Sequence, residues 1–383
     1  MKIQLILLSF IFTSCAHVEK SNIARWPAEA DLTCAQLLMP FYKNQNLERM
    51  ESRINATKFD PHKFYRSFPP LYFKILEDLK LENEFGNILR HKGVIGGDVH
   101  VENFGIRTYK GTYKLLINDF DDLSEGPLFY DVIRLLTSMK LSGFKVDKDF
   151  IKKFILNYQQ GLEGKKENYS KVTMKFVQDA KKTKRIDKSK ISKRDKLFLK
   201  KREPSFEISP LELEAWKELM INEGKIVDSY KYVKDSGGSG GLDRYELLIE
   251  TSEGKLYWLE AKEWELPGIN AGLNTKPPSY KKRLEYVQAY DQPEFVSITK
   301  MYDNKTFFIR EINDSHIGVT IDGLAKKDME EMYLDEAFAL GVFHRNLSPI
   351  TNYHEDLKNI KSSSISTIVK SVYNEMIELV NRK

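Results

Sequence analysis

The stretch from Ile106 to Ile117 constrains the fold more than any other. Apolar and polar residues largely alternate along it, many of them β-branched or aromatic, and Lys110-Gly111 breaks the run near its middle. Two such arms around a glycine-containing pair read as a β-hairpin, which returns the chain to the place it left. Before it stands Gly97-Asp98-Val99-His100-Val101-Glu102-Asn103, and after it Asn118-Asp119-Phe120-Asp121. The hairpin therefore predicts that Asp98 and Asn103 share one mouth with Asp119, so that carboxylate and amide oxygens gather in one place.

Helical spacing takes over beyond Asp119. After Ser124-Glu125-Gly126-Pro127, an apolar stripe of Leu128, Val132, Leu135, Leu136 and Met139 predicts a helix with Pro127 at its first position and Gly143 as its stop. Asp131 falls in the first turn, where a carboxylate faces the positive end of the helix dipole. It reads either as a dipole-compatible acid or as a buried brace for the Asp98 loop. Upstream, residues 46–92 read as mostly helical, with an aromatic patch from Tyr65 to Phe73 and with Ile75, Leu76 and Leu79 in step. Packing is the only role they suggest.

Further helices are predicted at Asp149–Tyr158 and, with Leu213, Trp216 and Leu219 in step, at Pro210–Ile221. From Tyr230 the period becomes two. Tyr230–Val233, Tyr245–Ile249 and Lys255–Ala261 read as strands, separated by Ser236-Gly237-Gly238-Ser239-Gly240-Gly241 and by Glu253-Gly254. Phe295–Met301 and Thr306–Glu311 complete an antiparallel sheet of about five strands. Glycines such as Gly238 and Gly241, with Ser239 between them, let backbone N–H groups approach a phosphate, and Lys262 offers a point charge two strands later. A helix over Ser279–Tyr290 carries Glu285, a candidate partner for Lys262. Helices at Asp328–His344 and Ile365–Leu379 close the chain.

The fold class is α+β. The organisation expected is a signal over 1–15, a tether over 16–45, a helical part over 46–225 with a basic excursion at 181–202, a sheet part over 226–312, and C-terminal helices over 313–383. At 383 residues, 41% apolar and 12% aromatic, the chain can bury a sizeable core and is not a disordered one. Lys2, the apolar run Ile3 to Phe12 and Phe12-Thr13-Ser14-Cys15 resemble a bacterial lipoprotein signal, with Cys15 the lipidated residue and the bacterial cell envelope the address. Cys34 is the only other cysteine, so neither an intrachain disulfide nor a cysteine metal cluster is expected in the mature protein. Lys181 to Arg202 holds twelve Lys and Arg against Asp187 and Asp195, a charge of +10 within a chain of net +5, which leaves −5 elsewhere. It reads as a solvated excursion or as a surface for an anionic partner. No aromatic stacking platform accompanies it, which argues against nucleic acid.

These motifs together resemble a known group. The chain is similar, over about residues 50–360, to the bacterial family named domain of unknown function 2252, itself similar to the protein-kinase-like and aminoglycoside-phosphotransferase-like superfamily. The resemblance rests on Gly97-Asp98-Val99-His100 to Asn103-Phe104-Gly105, on Asn118-Asp119-Phe120-Asp121 with Gly126-Pro127 and Asp131, and on Gly238-Ser239-x-Gly241 followed by Lys262-Glu263. It implies a circularly permuted two-lobe kinase-like fold, since the glycine turn and lysine follow the acidic loop. Leu340-Gly341 to His344-Arg345 resembles the helix that leads into that loop in the phosphotransferases. The resemblance further implies Asp98 as catalytic base with His100 fixing its loop, Asn103 and Asp119 as magnesium ligands, Lys262 as the phosphate lysine, Asp131 as the brace, and ATP as cofactor. Ser236 stands where relatives have the first glycine of the turn, and Gly96-Gly97 where protein kinases have His-Arg.

Two functions follow as expectations. One is phosphoryl transfer from a Mg-nucleotide to a hydroxyl of an unknown acceptor. The other keeps the fold without the reaction, as an envelope lipoprotein that binds a nucleotide or another small ligand, because an exported protein meets little ATP. A metallophosphoesterase is a weaker third reading, since His17, His62, His91, His100, His316, His344 and His354 show no paired ligand spacing.

Overall fold

The protein, seen in a computed structural model, is described over residues 34–42, 47–57, 59–186, 191–193, 197–199, 205–232, 234, 240–291 and 293–381. Cys15, the predicted signal and most of the predicted tether lie outside these residues, as do Gly238, Ser239 and much of the basic stretch. The chain enters through short helices: α1 (Cys34–Leu38), α2 (Leu47–Asn55), α3 (Pro61–Ser67), α4 (Pro69–Asp78) and α5 (Glu82–Leu89). Helix α1 corrects the expected tether, because Cys34, Ala35 and Leu38 are buried in the main core. The aromatic patch packs as expected: Phe64, Tyr65, Phe68, Tyr72 and Phe73 are fully buried.

Strand β1 (Lys92–Ile95) leads into the acidic loop, and the hairpin follows as β2 (Phe104–Tyr109) and β3 (Thr112–Ile117). Tyr109 pairs with Thr112, leaving Lys110 (φ 48°) and Gly111 (φ 75°) as the two-residue turn. Positive φ at both positions is what a turn twisted like its strands requires, and glycine reaches it without strain. Strand β4 (Ser124–Pro127) pairs antiparallel with β1, so the segment before the hairpin and the segment after it lie side by side. Helix α6 (Leu128–Leu141) starts one residue later than expected, with Pro127 in extended conformation as its N-cap, and Gly143 (φ 89°) stands just beyond its end. Helices α7 (Lys148–Leu162) and α8 (Lys171–Lys182) follow, then the short strands β5 (Ile191–Lys193) and β6 (Leu197–Leu199).

The second part is a six-stranded antiparallel sheet. It comprises β7 (Ser205–Phe206), β8 (Lys225–Tyr232), β9 (Arg244–Glu250), β10 (Leu256–Glu263), β11 (Ile298–Tyr302) and β12 (Lys305–Glu311), in the order β11-β12-β10-β9-β8-β7. Helix α9 (Pro210–Leu219) lies in the chain between β7 and β8. Its Trp216 packs with Tyr245, Leu247, Ile249, Leu259 and Phe307 on one face of the sheet. The sheet part therefore begins near residue 205, ahead of the expected boundary at 226, because α9 buries its tryptophan there and not against the helical part. The period of two sends Glu246, Glu260 and Lys262 to the opposite face.

Helices α10 (Gly268–Gly272) and α11 (Tyr280–Tyr290) join β10 to β11, and Val287 and Tyr290 of α11 return to the main core. A bidentate pair ties the two parts together: Arg107 of β2 meets Asp291 at 2.6 and 3.2 Å, and both residues are buried. Strand β13 (Ile317–Gly318) adds to the hairpin beside β2. Helices α12 (Lys326–Leu347), α13 (Tyr353–Lys358) and α14 (Ser362–Asn381) then pack into the helical body. Just past α12, Ser348 Oγ accepts the Val94 N–H at 2.8 Å, so the end of this late helix abuts the strand that feeds the acidic loop. Among the described residues no helix is long and apolar enough to cross a membrane.

Candidate active site

Helix α6 holds the acidic loop with residues of one face. Asp131 accepts the N–H groups of Gly96 (2.7 Å) and Gly97 (3.1 Å), Arg134 donates to the Asp98 carboxylate, and Ser138 Oγ accepts the Val101 N–H at 3.1 Å. The steps of three and four residues between them are the helical repeat, so consecutive turns grip consecutive parts of the loop. Asp131 is fully buried and is itself met by His344 Nε2 of α12 at 3.1 Å, while His344 Nδ1 lies 2.6 Å from the Tyr158 hydroxyl. Gly97 takes φ 75°, and a Cβ there would strike the Asp122 carbonyl. Only glycine lets the loop lie this close to the segment after the hairpin.

Asp98, His100, Asn103 and Asp119 line one cavity of about 350 Å³. Burial pushes the Asp98 carboxyl up to about 7, against the pull of Arg134, with Asp122 and Asp119 adding to the rise. Arg134 is fully buried and lies 4.4 Å from the Tyr65 ring and 4.9 Å from that of Tyr72. Asn103 Nδ2 donates to the Asp98 carbonyl at 2.9 Å, and its Oδ1 makes no hydrogen bond among the described residues. The His100 Nδ1 accepts the Glu102 N–H at 3.2 Å, and burial, helped by the Arg66 charge, holds the ring neutral. Its neighbour is His62, with ring centroids 6.2 Å apart, a pairing across α3 and the loop that linear spacing did not reveal.

The sheet supplies the positive side. Lys262 Nζ forms an ion pair with Asp121, two residues after Asp119. Burial lowers the Lys262 amine to about 8, with Asp119 opposing the fall. Burial would raise the Asp119 carboxyl, yet Lys262, then Arg310 and Arg244, hold it well below the usual carboxylate range. Arg310 bridges the two parts: its Nε donates to Glu260 at 3.1 Å and its Nη1 to the Asn118 carbonyl at 3.2 Å. Glu260 also takes Arg244 at 2.8 Å and the Tyr232 hydroxyl at 2.7 Å. One buried acid thus fixes two arginines above the acidic loop.

Gly241 lies at φ 79° beside Arg49, and its N–H donates to the Lys234 carbonyl at 2.8 Å. Lys234 and Leu242, at the two ends of the glycine-rich segment, both line the cavity. Glu285 is not at the site. It is half exposed and pairs with Lys282 at 3.3 Å, because α11 turns Arg283, Val287 and Tyr290 inward and a two-residue step is about 200° around a helix. Asp121 is the partner that Lys262 has instead. What α11 sends inward is Arg283, which donates to the carbonyls of Asp121, Leu123 (3.1 Å) and Glu265 (2.9 Å) and stacks 4.0 Å over Trp264. Sequence reading missed Arg134, Ser138, Arg283 and Arg310. The first two were accessible as the i+3 and i+7 positions from Asp131, and Arg310 as the cross-strand neighbour of Glu260. Nothing local marked Arg283.

A hard divalent cation fits the donors. Magnesium takes one or two protein oxygens and completes its shell with water and phosphate, and here the ionised Asp119 carboxylate and the unengaged Asn103 Oδ1 share the cavity. Among the described residues no three His, Cys, Asp or Glu side chains form a ready-made metal cage.

Fold and site define an α+β protein in which an antiparallel sheet sets lysine and arginine over an acidic loop held by a helical body. Residues 46–205 match the model of the family described as an uncharacterized protein conserved in bacteria (DUF2252), which supports that bacterial family for this chain. The matched segment contains the loop, the hairpin and α6, and it ends before the strands that carry Lys262 and Arg310. Neither the comparison with curated proteins nor that with solved structures returned a match.

Proposed function

We propose that this protein is a phosphotransferase that moves the γ-phosphoryl group of a magnesium-bound nucleoside triphosphate, ATP by resemblance, to a hydroxyl of a small molecule or protein. The observation that carries the reading is the ion pair of Lys262 with Asp121, more than 140 positions apart, with the Lys262 charge also acting on Asp119, where Asp119 and Asp121 line the cavity that holds Asp98 and Asn103. Permutation of a two-lobe kinase-like fold accounts for the order, with the end of α12 already beside β1.

In this mechanism Asn103 and Asp119 hold magnesium, which when bound offsets the charge of the phosphates. Lys262 turns from Asp121 to the phosphate oxygens. Asp98 has one oxygen fixed by Arg134 and takes the acceptor's proton on the other. The acceptor oxygen bonds to the γ-phosphorus as the bond to the bridging oxygen breaks, and the nucleoside diphosphate leaves. Catalysis is then mostly positioning and charge neutralisation. We place the reaction in the cell envelope, with Cys15 as the lipid anchor.

A second reading, a nucleotide or small-ligand binder without turnover, has its own support: Lys262 is engaged by Asp121 and Asp98 by Arg134, so the charges already satisfy one another. Titration with Mg-ATP followed by calorimetry separates these. The wild type should bind, EDTA should remove binding, and Asp119→Asn should weaken it at least about tenfold, or 1.4 kcal/mol. Undiminished binding by that variant would remove the assignment, and binding without nucleotide hydrolysis or transfer would favour the second reading.

A further inference from the structure

The N-terminal helices, for which the sequence suggested only packing, place one cation in the cavity. Arg66, in the last turn of α3, lines it together with Asp98, Asn103 and Asp119. Its Nη1 meets Glu102, the residue before Asn103. Its Nε is buried with no hydrogen-bond partner among the described residues. A buried N–H without an acceptor is costly and rare in a folded protein unless a water, an ion or a ligand completes it. Arg66 also differs from the other arginine of the cavity wall, because Arg310 is bound to Glu260 and to the Asn118 carbonyl. Burial lowers the Arg66 guanidinium, and the Asp98 charge opposes the fall.

We propose that Arg66 is a catalytic residue, an arginine supplied within the chain whose guanidinium meets the phosphoryl group in transit between the nucleotide and the acceptor. This rests on the phosphoryl-transfer reading above. As the γ-phosphorus leaves the bridging oxygen and joins the acceptor oxygen, negative charge spreads over its equatorial oxygens and the bridge, and a planar guanidinium cation offsets it. The interaction belongs to the transition state, so ground-state nucleotide binding should hardly depend on it.

Binding of Mg-ADP alone and of Mg-ADP with aluminium fluoride, a mimic of the transferring group, provides the test. The wild type should bind the second mixture much more tightly than the first. Arg66→Ala should keep Mg-ADP affinity within about threefold and lose at least about tenfold of the gain from aluminium fluoride, and Arg66→Lys should recover only part of it. Glu102→Gln controls for a merely structural role: it breaks the same ion pair but leaves the guanidinium, and should keep the gain. A gain that Arg66→Ala retains, or that Glu102→Gln loses equally, would overturn the role of Arg66 alone. Failure of the wild type to bind Mg-ADP at all would overturn phosphoryl transfer, and this role with it.

Discussion

At the scale of the residue, buried charges dominate this site, and removing one member of a pair costs more than the pair contributes. Asp98→Asn strands the fully buried Arg134, so the variant should lose about 3–5 kcal/mol of stability beside any loss of function. Asp98→Asn with Arg134→Met should be more stable than Asp98→Asn alone in urea denaturation; an equal or lower midpoint would show that the tyrosines beside Arg134 satisfy it without the acid. A second buried acid has no hydrogen-bond partner among the described residues. Glu336 of α12 is completely buried and neither carboxylate oxygen is hydrogen-bonded, and burial, with Asp335 adding, raises its carboxyl well above 4.5. The folded protein keeps this proton while the unfolded chain releases it above 4.5, so stability falls as pH rises through and beyond that value. Glu336→Gln should flatten this fall and gain stability relative to the wild type at pH 8 compared with pH 5, and a gain independent of pH would contradict it.

Among the elements, α6 and the crossing of α7 with α12 set the geometry. Gly161 and Gly341 face each other at that crossing, where a Cβ on Gly341 would overlap the Tyr158 carbonyl oxygen and one on Gly161 that of Phe338. The contact brings His344 against Asp131 and Tyr158, and through Asp131 it reaches Gly96 and Gly97. Gly341→Ala should cost about 1–3 kcal/mol or more by thermal or urea unfolding, since backbone cannot yield as a side chain does. The matching change at Gly161 should add little to it, because both fill one space. A full additive loss would place the two glycines in separate contacts.

Over the whole molecule, the hairpin and the sheet part are fastened by Arg107 and Asp291, a bidentate pair that Arg107 extends to Asn118 Oδ1 at 2.7 Å. Asp291→Asn should cost roughly 3–5 kcal/mol and lower one cooperative transition; two separated transitions in calorimetry would show that the parts unfold independently. The sequence alone determined the local elements here. Alternation around Lys110-Gly111 produced the hairpin, and the helical spacing from Leu128 to Met139 produced α6, because period and turn chemistry are properties of neighbours along the chain. Asp98, Asn103 and Asp119 were legible as one group for the same reason, since a hairpin returns its own ends. Tertiary structure decided what no neighbour could: that α1 joins the core, that α9 belongs to the sheet, that Lys262 meets Asp121 and not Glu285, and that Arg66, Arg134, Arg283 and Arg310 surround the loop. Those contacts join residues dozens to hundreds of positions apart, and they are selected by which faces are left to be buried once the local elements have formed.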